Sequence, residues 1–86
     1  FHACEFETSL MLAAKEELVH MERAKEEYPK RPNLYGMDNT SIGDLSVSGT
    51  YGDPTCATKE KGEKMFRRFA DNIAQIIWEA LGEAPA

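Results

Sequence analysis

Thr58-Lys59-Glu60-Lys61-Gly62-Glu63-Lys64-Met65-Phe66-Arg67-Arg68-Phe69-Ala70-Asp71-Asn72-Ile73-Ala74-Gln75-Ile76-Ile77-Trp78-Glu79-Ala80-Leu81 is the stretch that decides how this chain is built. Met65, Phe66, Phe69, Ile73, Ile76, Ile77 and Ala80 recur in it at three- and four-residue intervals, so one broad apolar stripe runs along a helix predicted over 58–81. Gly82 is a natural stop. Gly62 lies on the same stripe, where glycine costs a helix ~1 kcal/mol relative to alanine; close approach of another backbone is the expected reason for it. Phe66, Phe69, Ile73, Ile76, Ile77 and Trp78 each gain ~1.5–3 kcal/mol when fully buried, so the helix demands a partner surface.

Working outward, Asp53-Pro54 reads as an N-cap followed by proline at the first helical position, where its missing N–H costs nothing. Before it lies a long irregular stretch. Residues 29–56 hold three of the four prolines and four of the six glycines, with Asn33, Asp38, Asn39, Ser41, Asp44 and Ser48 as turn formers. Within it, Leu45-Ser46-Val47-Ser48 alternates like one short strand. A loop of that length is uncommon in a compact domain unless it is functional or packs on something else. Further upstream, Leu10, Met11, Ala13, Ala14, Leu18 and Met21 have the period of an amphipathic helix from Glu7 to about Met21, with Thr8 or Ser9 as N-cap. Pro29 and Pro32 end any continuation of it. That helix is too short to cover the stripe of 58–81, so the segment is expected to pack against a sheet supplied by other sequence, either upstream or in another chain.

Composition narrows the class. Eighty-six residues make at most one small domain, which buries only ~60–65% of its unfolded surface. The chain opens on Phe1 rather than methionine, which predicts a processed or cleaved polypeptide, or part of a longer one. A net charge of −5 with only the short basic cluster of Lys25, Lys30 and Arg31 carries no footprint for nucleic acid. Cys4 and Cys56 are isolated, with neither a disulfide framework nor zinc-ribbon spacing, and reduced thiols in the cytoplasm are the expectation. No run of about 18 apolar residues suggests a membrane span, and no secretory signal is evident.

Phe1-His2-Ala3-Cys4-Glu5-Phe6-Glu7-Thr8-Ser9 carries the candidate chemistry. His2, Glu5 and Glu7 are residue types that bind divalent metals or move protons, and the His-x-x-Glu spacing puts two of them near the start of a helix. Carboxylates at that place also stabilise the helix dipole by ~0.3–1 kcal/mol, so capping explains Glu5 and Glu7 as readily as ligation. His20, the other histidine, is expected on a helix surface. Nothing downstream clusters into a closed metal site.

Two blocks resemble the creatininase (creatinine amidohydrolase) family. His2-Ala3-Cys4-Glu5-Phe6-Glu7-Thr8-Ser9-Leu10-Met11-Leu12-Ala13 is similar to its H-A-G-E-x-E-T-S-L-M-L-A block, with Cys4 where glycine is usual. Ser48-Gly49-Thr50-Tyr51-Gly52-Asp53-Pro54-Thr55-Cys56-Ala57-Thr58-Lys59-Glu60-Lys61-Gly62 is similar to its S-G-x-x-G-D-P-x-x-A-T-x-E-K-G segment. The resemblance implies an α/β fold: residues 1–86 are then the C-terminal part of one domain, two helices plus a long loop from a three-layer α/β/α sandwich whose sheet comes largely from sequence outside this chain. It implies a hydrolase of C–N bonds in cyclic amides or formamides, dependent on two divalent ions (Zn, Mn or Fe) whose ligands lie mostly upstream, and a homo-oligomer, often a hexamer. His2 takes the place of the family histidine facing the substrate, hence a general acid or substrate-binding residue. Glu5 takes that of a metal ligand or of the base on a metal-bound water. Glu7 is open to orienting a ligand or to capping. Tyr51 and Asp53 either line a pocket or an intersubunit contact, or belong to a loop in which Gly49 and Gly52 supply turns and Asp53 caps the last helix. The Y-G-D-P pattern fits the wider family better than creatininase proper, so creatinine is not the expected substrate. A reading from a different class remains: a non-catalytic interaction module that docks through the apolar face of helix 58–81.

Overall fold

The computed structural model describes residues 1–30 and 37–83. Two helices dominate it. α1 spans Glu5–Lys15 and α3 spans Lys59–Leu81; the short α2, Ile42–Leu45, lies between them. The described residues are mostly helical and contain no strand, only two isolated antiparallel bridges, His2 with Tyr51 and Glu27 with Gly52. They are compatible with a piece of a creatininase-like domain. Asn33 and Pro32, read above as part of the loop, lie outside the described residues.

α3 forms over the predicted range, but Thr58 caps it in place of Asp53, which caps the 3₁₀ turn Pro54–Cys56 ahead of it. The Thr58 hydroxyl accepts from the Lys61 N–H at 3.1 Å, capping the N-terminus, and Gly82 closes the C-terminus with its N–H on the Glu79 carbonyl. α1 differs from expectation at both ends. Its N-cap is Cys4 rather than Thr8 or Ser9, because Glu7 reaches back to Cys4 and fixes the first turn there. It ends at Lys15 rather than Met21: Lys15 leaves helical geometry, and two 3₁₀ turns, Glu16–Leu18 and Met21–Arg23, carry the chain onward. Leu18 and Met21 therefore do not continue the apolar face of α1.

The helices meet along their N-terminal halves. Gly62 sits against the Ser9 carbonyl, the close backbone approach that its position on the stripe predicted. Ser9 is fully buried, and its hydroxyl accepts from the Thr58 N–H at 3.2 Å, tying the two helices together where α3 begins. Phe6 and Phe69 pack with ring centroids 5.8 Å apart, and Leu12, Tyr51 and Ala57 complete a small buried centre. With 11 residues against 23, α1 is about 16 Å long and α3 about 34 Å. The far half of α3 thus outruns its neighbour. Ile73, Ile76, Ile77 and Leu81 are 52–64% exposed among the described residues.

The loop turns differently from its pattern. Ser41 caps α2, so Leu45 ends a helical turn instead of beginning a strand, and Val47 and Ser48 are held from the side. Both Glu27 carboxylate oxygens do this: Oε2 accepts from the Val47 N–H at 2.9 Å, and Oε1 from the Ser48 N–H and hydroxyl at 2.9 and 2.6 Å. The residues that pair are Tyr51 and Gly52, and they pair on opposite sides. Tyr51 exchanges both backbone hydrogen bonds with His2 (2.8 and 3.2 Å), and Gly52 exchanges both with Glu27 (2.7 and 2.9 Å). Three segments distant in sequence are thereby laid side by side.

Candidate active site

The site is built where that ladder runs into α1. His2 is fixed by its backbone pairing with Tyr51, and Ala3 then turns the chain into the helix with φ +48°, the sole positive φ outside glycine among the described residues. Such a conformation costs an L-residue ~1–2 kcal/mol and is held only where surrounding structure imposes it. Here the ladder on one side and the cap of α1 on the other impose it. The His2 side chain is exposed, and its imidazole has no hydrogen bond or ion pair among the described residues.

The two glutamates separate into different roles. Glu7 takes the capping role: its Oε2 accepts from the Cys4 N–H at 3.1 Å and from the Cys4 thiol at 2.7 Å. The thiol hydrogen bond is the main reason its carboxyl lies below the usual range. Glu5, in the first turn of α1, instead meets a cation from the other helix. Lys61 Nζ donates to Glu5 Oε2 at 2.6 Å and to the Cys56 carbonyl at 2.7 Å. The hydrogen bond to Glu5 leads the causes that raise the Lys61 ammonium above its ordinary value. Glu5 Oε1 is left without a partner among the described residues.

Glu5 and Lys61 stand in the wall of an open groove of about 790 Å³, with Phe6, Tyr51, Asp53 and Met65. Its lining is largely apolar and aromatic with a few charged groups, the composition of small-molecule clefts. His2 is not among its lining residues. Tyr51 and Asp53 both line the groove and both serve the backbone of the loop, but Asp53 does not cap the last helix as expected. Asp53 caps the 3₁₀ turn Pro54–Cys56, accepting from the Thr55 N–H at 3.0 Å, whereas Thr58 caps the last helix. The Thr55 hydroxyl, also on Asp53, is the chief reason that carboxyl is depressed. Gly52, at φ +141°, is pressed onto Cys4, whose Cβ lies 2.5 Å from where a Cβ on residue 52 would stand. His20 stays on the surface, 3.4 Å from Glu22.

No group of three or more His, Cys, Asp or Glu side chains among the described residues is placed to hold a metal ion. Glu5 Oε1 fits a contribution of one donor oxygen, the rest of a centre having to come from elsewhere. Lys61 and Glu27 escaped sequence reading. Each acts on a partner far along the chain, 56 residues away for Lys61, and no local spacing signals such a pair. No helix among the described residues is long and apolar enough to cross a membrane.

Residues 1–77 of the 86 match the family model of creatininase, described as creatinine amidohydrolase. The chain belongs to the creatininase family, a family of amidohydrolases that generally bind divalent metals. No curated protein and no solved structure matches it.

Proposed function

We propose that this chain is the C-terminal part of a metal-dependent amidohydrolase of the cytoplasm that cleaves the C–N bond of a cyclic amide or formamide. The observation that carries the reading is the family match over residues 1–77, joined to the presentation of His2 and Glu5 at the start of α1. Two divalent ions (Zn, Mn or Fe) supply, when bound, an activated water and a polarised amide carbonyl. Glu5, with Oε2 on Lys61, offers Oε1 as a donor to that centre or as the acceptor of the water's proton. His2, with an imidazole free to turn, gives a proton to the departing nitrogen, without which an amide expels its amine poorly. Phe6, Tyr51 and Met65 offer an apolar wall for the substrate body. The remaining ligands, and the sheet that the exposed half of α3 needs, come from upstream sequence or a companion chain in a homo-oligomer.

The test is His2→Ala in the complete polypeptide that carries this sequence. Turnover of its amide substrate is expected to fall by ~10²–10⁴ with the fold retained, the range for losing a general acid. A variant with unchanged turnover overturns the assignment of His2.

A second reading rests on the exposure of Ile73, Ile76, Ile77 and Leu81: a non-catalytic module that docks through the apolar face of helix 58–81. It predicts tight association of the isolated chain with a partner and no metal uptake at micromolar metal. Metal uptake and amide hydrolysis by the complete polypeptide exclude it.

A further inference from the structure

Lys61 stands where a helix does not favour it. It occupies the first turn of α3, at the positive end of the macrodipole, where cations are disfavoured and acids preferred. Its ammonium nevertheless bends to two acceptors outside α3, Glu5 Oε2 in α1 and the carbonyl of Cys56 in the 3₁₀ turn Pro54–Cys56. Joining the helices does not require this. Gly62 against Ser9, the Ser9 hydroxyl on the Thr58 N–H and the Phe6–Phe69 contact already do so. What Lys61 adds is a fixed direction for one carboxylate. With Oε2 held by the ammonium and the ammonium held by a backbone carbonyl, Glu5 has one oxygen left to offer, and the pair stands in the groove wall.

We propose that Lys61 is the positioning residue for Glu5, locking its carboxylate in a single rotamer with Oε1 alone available for chemistry. This rests on the amide hydrolysis proposed above and goes beyond it by assigning a role to a residue outside the reacting groups. An arginine at the same place can still reach the carboxylate; a methionine keeps the stem and removes the charge.

The experiment uses the complete polypeptide, with Lys61→Met, Lys61→Arg and Glu5→Gln, and creatinine, hydantoin and formanilide as probe amides. Two readouts are taken: kcat and KM on any probe hydrolysed, and the ¹⁵N–¹H signal of the Lys61 ammonium, whose slow exchange reports its hydrogen bonds. The expected result is a protected ammonium signal that Glu5→Gln abolishes. With it come a fall in kcat of at least tenfold in Lys61→Met at a KM within twofold of wild type, and recovery to within threefold in Lys61→Arg. An ammonium signal indifferent to Glu5→Gln overturns the proposal whatever the reaction. A Lys61→Met enzyme with wild-type kcat, beside a Glu5→Gln enzyme that has lost it, overturns positioning and leaves the hydrolase reading standing. A wild-type polypeptide with metal bound that hydrolyses no probe counts against that reading, and Lys61 loses its role with it.

Discussion

A Cβ added to Gly62 would lie 2.6 Å from the carbonyl carbon of Ser9 and 2.9 Å from the Cβ of Ala13, so α3 can lie against α1 only with glycine at that position. Both neighbours belong to the helix itself and cannot swing aside. Gly62→Ala gains ~1 kcal/mol of helix propensity but forces the helices apart, and overpacking of this kind costs ~1–3 kcal/mol or more. A lower melting temperature for Gly62→Ala, by circular dichroism of the complete polypeptide, is the expected outcome; a higher one would mean that the contact is not made.

Glu27 carries the acid sensitivity of the loop. Ser48, through its hydroxyl and then its N–H, and the Val47 N–H hold its carboxyl down at about 2. A depressed carboxyl stabilises the fold fully above its unfolded value near 4.5, and that contribution disappears as pH falls through about 2. Glu27→Gln should therefore lower the melting temperature near neutrality and flatten its decline between pH 4.5 and 2. An acid limb identical to wild type would exclude the carboxylate as its source.

Glu7 is expected to matter for stability and not for turnover. Its carboxylate is occupied by the N–H and thiol of Cys4, so Glu7→Ala removes the cap of α1 at a cost of ~0.5–2 kcal/mol. Chemical denaturation gives the cost, and kcat measured below the melting transition should stay within threefold of wild type. A loss of kcat comparable to that of Glu5→Gln would return Glu7 to the reacting groups.

The bare half of α3 makes the sharpest distinction between the two readings. If a sheet covers Ile73 and Ile77 in the complete polypeptide, an aspartate there is a buried unpaired charge and Ile77→Asp should prevent folding. Ile73→Val, a milder change, should cost ~0.5–1.5 kcal/mol. Should Ile77→Asp fold with wild-type stability and turnover, the face is open to solvent or to a separate partner.

What the sequence made legible follows the range of each interaction. The range of α3 could be read because Gly82 and the apolar stripe act within a few residues, although its cap was assigned to Asp53 instead of Thr58, and the misfit of Gly62 announced a contact without naming Ser9. The start of α1 was misread because of a local rival. Thr8 and Ser9 are good caps, yet a cysteine took the place because Glu7 could reach it, and Ser9 was drawn instead into the junction with Thr58. The candidate site was legible only in part. His2 and Glu5 stand out by residue type and motif, but Lys61, which orients Glu5, and Glu27, which pins the loop, act across distances that no periodicity encodes.

The hydrogen bond between Ser9 and Thr58 joins residues 49 positions apart, and the pairing of His2 with Tyr51 runs parallel to it. The sequence between Pro29 and Ser41 is one connection between segments that these contacts already join. Met37, Asp38 and Asn39 are exposed on it. Lengthening a connection whose ends are joined costs little, ~0.6 kcal/mol for each doubling, so sequence inserted at those residues should leave the junction intact. A single proteolytic nick at those residues should likewise yield two pieces that stay together, the ends of the site held by their mutual contacts instead of by the peptide that once connected them.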